Sequence, residues 1–166
     1  MQRSLAWLAM ASALLLSLSA CGELEMPGLA QWSGGSPLSS QSLSSSSALG
    51  LQIAAHAERN ASGGTGWCYQ YVAESIHAFV PAFLSGEHAY MAADQLAAHP
   101  RFDEVQLLPA QLAELPAGAV VVWSKGSSPS GHISIADGRG YEISDHRARQ
   151  MQRHYGGGSF RVFLPR

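Results

Sequence analysis

Residues 66–72 read Gly-Trp-Cys-Tyr-Gln-Tyr-Val and deliver one cysteine, Cys68, to the predicted start of a helix. After Cys68, apolar side chains recur at the steps expected of a helix with one buried face. The members of this face are Tyr71, Val72, Ile76, Phe79 and Phe83. Glycines within residues 61–66 relax the backbone, so the chain can turn sharply into the helix. We therefore expect the thiol at a helix N-terminus, and we expect Pro81 to end or kink that helix.

A helix N-terminus suits a nucleophilic cysteine. Unpaired amide N–H groups and the positive end of the helix dipole favour a thiolate over a thiol, and the same N–H groups bind a developing oxyanion. We therefore predict that Cys68 is a catalytic nucleophile and that the backbone N–H groups of Trp67 and Cys68 form an oxyanion hole. The alternative is that Cys68 is a small core residue, which is the usual fate of an isolated cysteine.

The N-terminal residues have the pattern of an export signal. Arg3 gives a positive start, and an apolar run follows that is too short and too weakly flanked for a membrane span. The run ends in Leu-Ser-Ala-Cys at residues 18–21, which resembles the bacterial lipobox, whose cysteine becomes the first mature residue and carries a diacylglycerol thioether. We therefore predict a lipoprotein signal peptide over residues 1–20 and a lipid anchor on Cys21.

The same resemblance predicts the location of the protein. Gly22 rather than aspartate follows the lipidated position, which by similarity to sorting in enteric bacteria implies the outer membrane, facing the periplasm. The alternative is a plain secretory signal that is cleaved before Cys21 and leaves a soluble protein with two thiols.

The cysteine count favours a reactive Cys68. The chain contains two cysteines, Cys21 and Cys68. If Cys21 carries a lipid, Cys68 is the one free thiol of an exported protein. An unpaired cysteine in an oxidising compartment is a liability unless its reactivity is used.

Composition excludes some classes of partner and cofactor. The formal net charge is −2 and no basic stripe is present, so nucleic acid is not an expected partner. Seven histidines raise the possibility of a metal enzyme, but they form no His-x-x-x-His motif and no cysteine pair accompanies them. We therefore expect neither a metal nor another cofactor.

Composition also divides the chain. Serine dominates residues 23–50, so we predict a flexible tether over residues 21–50. Residues 51–166 have a globular composition, and about 115 residues suffice for one domain with a single core. Helices are predicted at 51–60, after Cys68 and at 88–98. Strands are predicted at 102–108, 119–123, 131–136, 141–145 and 159–164.

Residues 131–145 form a predicted β-hairpin with Asp-Gly-Arg-Gly at its turn. If the turn is centred on the Gly-Arg pair, His132 faces Asp145, and directly opposed side chains have Cβ atoms about 5 Å apart. Glu142 then has the other parity and points to the opposite face. We therefore expect Asp145, rather than Glu142, to contact His132. The alternative is that His132 and Asp145 form a surface pair of little energetic consequence.

Basic side chains follow the hairpin: Arg147, Arg149 and Arg153, with His146 and His154 among them. We predict that they form a solvated loop before the last strand. A role in contacting an anionic polymer is the alternative.

Three blocks stand in order along the chain: residues 66–72, residues 115–123 (Leu-Pro-Ala-Gly-Ala-Val-Val-Val-Trp), and residues 131–135 (Gly-His-Ile-Ser-Ile) with the strand that ends at Asp145. Together they resemble the CHAP family of cysteine, histidine-dependent amidohydrolases and peptidases. In that family the nucleophile lies in a Gly-x-Cys-x-x-Tyr-Val setting, a strand follows a Pro-Gly turn, and the base is the histidine of a Gly-His-Val strand. Ala119 departs from the acidic residue usual after the turn, and the third catalytic residue is usually glutamate.

The resemblance implies a papain-like α+β fold, in which N-terminal helices, one of them starting at the nucleophile, pack on an antiparallel sheet. It implies a cysteine peptidase or amidase that cleaves an amide bond in cell-wall peptidoglycan. His132 would be the base and Asp145 the orienting residue of a Cys-His-Asp triad with Cys68. The alternative is a non-catalytic lipoprotein that binds the cell wall on the same scaffold. Whether the bond lies between sugar and peptide or within the peptide stays open.

Overall fold

The computed structural model describes residue 43 and residues 45–166, which belong to the compact unit Gly35–Arg166. This part of the chain has the predicted α+β architecture, with helices and one six-stranded antiparallel sheet. The helices are α1 (Ala48–Asn60), α2 (Cys68–His77) and α3 (Ala92–Ala98). The strands are β1 (Phe102–Val105), β2 (Val120–Trp123), β3 (His132–Ala136), β4 (Tyr141–Ile143), β5 (Arg147–Arg149) and β6 (Phe160–Pro165). Short 3-10 helices cover Ala89–Met91, Pro109–Glu114 and Tyr155–Gly157.

The sheet has the strand order β1-β6-β2-β3-β4-β5. The last strand of the chain, β6, therefore lies between β1 and β2 and pairs with both. All four residues of β2 are buried, because core side chains cover both faces of this strand. Val120 and Val122 belong to the core on one face, and Val121 and Trp123 to the core on the other. The apolar run that predicted a buried strand is thus confirmed.

The helices cover one face of the sheet. Their buried apolar side chains form the larger core with β2 and β3, and its members include Ile53, Val72, Ile76, Leu96, Ile133 and Ile135. Helix α2 packs against β3. Because Cys68 is the first residue of α2 and His132 is the first residue of β3, this packing determines where the two side chains lie relative to each other.

The folded domain begins before its predicted start at residue 51. Helix α1 starts directly after Ser47, whose Oγ accepts the Gly50 N–H at 3.0 Å. Ser46 Oγ accepts the N–H of Ala117 at 2.8 Å, and Leu43 is buried. The predicted end of the tether at Gly50 is therefore wrong, because these serines cap a helix and a turn instead of forming a spacer.

The other predictions for the N-terminal part concern residues outside those described. These are the signal peptide over residues 1–20, the lipid anchor on Cys21 and most of the tether. Within residues 45–166, no helix is long and apolar enough to span a bilayer.

The β3–β4 hairpin has a longer turn than predicted. The Asp137 N–H donates to the Tyr141 carbonyl at 2.9 Å, so residues 138–140 form a three-residue loop. Asp137 Oδ1 accepts the N–H groups of Arg139 at 2.7 Å and Tyr141 at 3.0 Å. Asp-Gly predicts a two-residue turn from local preference, but the Asp137 carboxylate stabilises the wider loop by binding its N–H groups.

The extra loop residue shifts the strand pairing by one position. Ala136 pairs with Glu142, and Ile135 pairs with Ile143. The predicted register is therefore wrong. Since side chains alternate between faces, a shift of one residue exchanges the faces on which the returning strand presents its side chains. Glu142, and not Asp145, shares the face of His132.

The remaining predicted elements are found with small changes. The predicted helix over residues 88–98 is divided into a 3-10 helix and α3. The basic loop after the hairpin contains the edge strand β5, which pairs with β4. Its Arg-Ala-Arg sequence has no apolar alternation to predict a strand. Arg147 ties it to the hairpin turn through Asp137 Oδ2 at 2.7 Å.

Candidate active site

Cys68 occupies the predicted place at the N-terminus of a helix. It is the first residue of α2, and its side chain is only partly buried. Before it, Gly63 and Gly66 have backbone φ angles of 78° and 101°, which residues other than glycine rarely adopt. Trp67 is the N-cap residue and makes no side-chain cap. The first hydrogen bond of the helix runs from the Tyr71 N–H to the Trp67 carbonyl, so the Cys68 N–H precedes the intrahelical ladder.

Asp145 holds the turn that leads to Cys68. Its main-chain carbonyl accepts the N–H groups of Ser62 and Gly63, each at 3.0 Å. Its Oδ2 accepts the Trp67 N–H at 2.7 Å. The predicted oxyanion role of the Trp67 N–H is therefore wrong, because this N–H already donates its hydrogen bond to a buried carboxylate. The oxyanion role of the Cys68 N–H remains a prediction.

The other oxygen of Asp145 is also engaged. Oδ1 accepts the Ser144 hydroxyl at 3.0 Å and lies 2.8 Å from His146 Nδ1. Burial raises the pKa of Asp145, but hydrogen bonds from Trp67, His146 and Ser144 outweigh it, so the pKa lies below its usual value. The predicted contact of Asp145 with His132 is wrong, because the oxygens of this carboxylate bond to Trp67, Ser144 and His146 instead.

His132 is the first residue of β3, and it follows a position, Gly131, that only glycine can occupy. Gly131 has φ of 67°, and a Cβ there would lie 2.3 Å from the carbonyl oxygen of Trp123. The close approach of Gly131 to β2 lets His132 enter the strand with its imidazole turned toward α2. The side chain is 14% exposed. His132 and Cys68 line the same cavity, of about 260 Å³.

Glu142 is the carboxylate beside His132. Its Oε1 lies 3.3 Å from His132 Nε2, within ion-pair distance, although the arrangement is not that of a linear hydrogen bond. Its Oε2 accepts hydrogen bonds from three donors, which hold the carboxylate with Oε1 toward the imidazole. These donors are Ser134 Oγ at 3.2 Å, Gln150 Nε2 at 3.0 Å and the Met151 N–H at 3.1 Å. Since Nε2 is next to Glu142, Nδ1 is the ring nitrogen available to Cys68.

The environment of His132 favours its protonated form. Burial lowers the pKa of the imidazole, but the polar interactions with Cys68 and Glu142 outweigh burial and raise the pKa of His132 to about 9. At neutral pH the ring is therefore an imidazolium. A positively charged imidazole beside a cysteine is an arrangement found at nucleophilic cysteines.

The predicted residues Cys68 and His132 line one cavity, and Glu142 rather than the expected Asp145 lies beside the imidazole. The family habit of a glutamate at the third position pointed to Glu142, while the assumed turn length pointed to Asp145. The sequence did not indicate the hydrogen bonds of Ser134 and Gln150 to Glu142, because serine and glutamine are common near strands and mark no particular contact. Within residues 45–166, no group of three His, Cys, Asp or Glu side chains has the arrangement to bind a metal ion.

Comparison with known proteins identifies the fold. No protein-family model matches the chain, and no curated protein matches it either. Two crystal structures of the type VI effector–immunity complex Tae3–Tai3 from Ralstonia pickettii are similar to it, each with a TM-score of 0.54. The native complex has a chain 22% identical to this one over 70% of this chain and 98% of that chain. The selenomethionine complex gives 24% identity over 68% and 98%. The fold is papain-like, as predicted.

Proposed function

We propose that this chain is a cysteine-dependent hydrolase that cleaves an amide bond in bacterial peptidoglycan, as an amidase or an endopeptidase. The observation that carries the proposal is the pair formed by Cys68 and His132 where α2 meets β3, with the buried carboxylate of Glu142 behind the imidazole. The papain-like fold supports this chemistry. The three sequence blocks that resemble the CHAP family supply the substrate class.

The first half of the reaction forms a thioester. The Cys68 thiolate attacks the scissile carbonyl carbon, and the carbonyl oxygen becomes an oxyanion that the Cys68 N–H stabilises. The His132 imidazolium then gives its proton to the leaving nitrogen, the C–N bond breaks and the amine departs. The acyl group remains on the sulfur of Cys68.

The second half returns the enzyme to its starting state. Neutral His132 takes a proton from water, whose oxygen attacks the thioester carbon, and the C–S bond breaks to release a carboxylic acid. The thiolate and the imidazolium are thereby restored. Glu142 acts throughout by fixing the ring orientation, and it stabilises the positive charge that the imidazole carries before the first proton transfer and regains in the second.

Product analysis tests the hydrolase proposal directly. Purified sacculi are incubated with the full chain or with its Cys68→Ala variant, and the soluble products are identified by mass spectrometry. We expect new amine and carboxyl ends with the natural chain and none with the variant. The masses also decide whether the bond lies between sugar and peptide or within the peptide. Equal products from both proteins, or none from either, would contradict the proposal.

A non-catalytic protein that binds the cell wall on the same scaffold is the competing function, and alkylation separates the two. A thiolate beside an imidazolium reacts rapidly with iodoacetamide near neutral pH, whereas a protonated structural thiol does not. We expect fast modification of Cys68 in the natural chain and slower modification in His132→Ala. A slow thiol in a chain that sediments with sacculi without cutting them would favour the binding protein.

We also propose that Cys21 carries a lipid that anchors the protein in the outer membrane, facing the periplasm. The Leu-Ser-Ala-Cys sequence before the cleavage point supports this location. The Cys21→Ser variant should lose membrane partitioning and keep hydrolysis. Flotation of the variant with membranes at the level of the natural chain would contradict the anchor.

A further inference from the structure

The cleft extends in two directions from the Cys68 and His132 pair. The central cavity of about 260 Å³ is lined by both side chains. On one side, Cys68 also lines a cavity of about 450 Å³, here called the cysteine arm. On the other, His132 and Glu142 line a cavity of about 670 Å³, here called the histidine arm. A substrate that spans the reacting pair has one part in each arm.

The histidine arm is basic. Arg149 and Arg153 line it, and its one carboxylate, Glu142, is buried and already bound by His132 and three hydrogen-bond donors. Arg147, on the same strand as Arg149, is paired with Asp137. Among the side chains that the structure describes, no carboxylate forms an ion pair with Arg149 or Arg153. Both arginines are exposed and retain their capacity to bind an anion.

The cysteine arm has the opposite character. Trp67, which is 64% exposed, lines it together with Tyr69, Leu84 and Ala89. The one charged side chain in its wall is the acidic Glu87. No cation lines this arm, so it lacks the charge-assisted contact that the histidine arm offers to a carboxylate.

The reaction sets the direction of the substrate in the cleft. The imidazolium of His132 must reach the leaving nitrogen to protonate it, whereas Cys68 keeps the acyl group. The amine part of the substrate therefore extends from the histidine side, and the acyl part extends from the cysteine side.

We propose that Arg149 and Arg153 bind a free carboxylate carried by the amine part of the substrate, so that the enzyme selects amides whose leaving group is an amino acid or peptide with an ionised carboxyl group. The inference rests on the proposed hydrolase function. It assigns the binding of the substrate's carboxylate to the histidine arm. Charge-assisted contacts with arginine provide the selectivity, and they act mainly on substrate binding.

The test compares soluble muropeptides as isolated with the same muropeptides after their carboxyl groups are converted to amides with carbodiimide and ammonia. The proteins are the natural full chain, the double variant Arg149→Gln/Arg153→Gln, and the control Arg59→Gln/Arg101→Gln, which changes the net charge equally through exposed arginines outside both arms. We expect the natural chain and the control to prefer the unmodified substrate by about tenfold or more in kcat/KM, as one lost charged contact would give.

The double variant should lose this preference through a higher KM for the unmodified substrate, with turnover of the amidated substrate unchanged. Hydrolysis of both substrates at equal rates by the natural chain would overturn the inference and leave the hydrolase function standing. An equal loss of preference in the control would also overturn it, since general charge would then explain the effect. Hydrolysis of neither substrate, nor of sacculi, would overturn the hydrolase function and the inference with it.

Discussion

Two buried carboxylates lie three positions apart on the same hairpin, and they serve different halves of the site. Glu142, in β4, faces the imidazole of His132 at 3.3 Å. Asp145, beyond the end of β4, accepts the N–H of Trp67 at 2.7 Å and so holds the turn before Cys68. One carboxylate contacts the proposed base, and the other contacts the backbone next to the proposed nucleophile.

The two carboxylates differ in their place on the chain. Glu142 lies within β4 on the face of His132, whereas Asp145 lies in the bend between β4 and β5 and reaches the turn before Cys68. A single returning segment therefore supplies an acid to each of two elements. Burial alone does not distinguish them, since Glu142 is 3% exposed and Asp145 is 1% exposed. Their contacts distinguish them, and substituting each carboxylate in turn tests its role.

The largest effect is expected where either side chain of the reacting pair is removed. Cys68→Ala and His132→Ala should each lower hydrolysis of sacculi by at least about a thousandfold, because members of one catalytic unit fail together. The release of soluble fragments measures this loss, and circular dichroism verifies that both variants are folded. If His132→Ala retained a tenth of the natural rate, neither carboxylate would act through a cysteine–histidine unit.

The two carboxylates should differ in their effect on turnover. Glu142→Gln is expected to lower kcat/KM about a hundredfold, because the imidazolium loses its counter-charge. Asp145→Asn is expected to cost about tenfold, through a loosened nucleophile turn. The exposed Glu74→Gln and Asp94→Asn are matched controls and should leave the rate unchanged. A greater loss in Asp145→Asn than in Glu142→Gln would reverse the assigned roles.

Protection of the Trp67 amide from hydrogen exchange should depend on Asp145 and not on Glu142. Asp145→Ala removes the acceptor of the Trp67 N–H and should lower the free energy of unfolding by about 2 kcal/mol. Amide hydrogen exchange at Trp67 should accelerate in this variant and stay slow in Glu142→Gln. Equal exchange at Trp67 in both variants would show that Asp145 does not hold the turn. Denaturant titration gives the accompanying stability change.

The smallest expected effect is on the pH dependence of stability. The lowered pKa of Asp145 contributes stability that is present above its ordinary value of 3.8 and is lost as the pH falls. The raised pKa of His132 contributes stability that is complete below 6.5 and is lost as the pH rises through about 9. Denaturant unfolding across pH should show less acid loss in Asp145→Asn and less alkaline loss in Glu142→Gln. Profiles that match the natural chain at both ends would contradict these assignments.

The sequence predicted the elements that carry the reacting pair. Helical periodicity and the glycines before Cys68 located the start of α2, and the apolar run at β2 located the centre of the sheet. These signals are local, because a periodic apolar face or an uninterrupted apolar run indicates a buried element without information from distant parts of the chain. The α+β class and the papain-like fold were implied by the resemblance of three motif blocks to the CHAP family.

The partner of His132 depended on a turn length that local preference does not determine. Asp137 binds the N–H groups of Arg139 and Tyr141 while Arg147 binds its second oxygen. That network joins the turn to β5, a strand with no recognisable pattern. The start of the domain was missed for a similar reason, since Ser46 and Ser47 become capping residues only when the turn before β2 and the helix are in place.

The titration of the His132 ring, followed by NMR in the full chain, tests the division of roles most directly and needs no substrate. We expect a pKa of about 9 in the natural chain. We expect nearly the same pKa in Asp145→Asn and a clearly lower one in Glu142→Gln because, of the two carboxylates, only Glu142 contacts the imidazolium. A pKa of His132 that falls in Asp145→Asn and is unchanged in Glu142→Gln would contradict this division of roles.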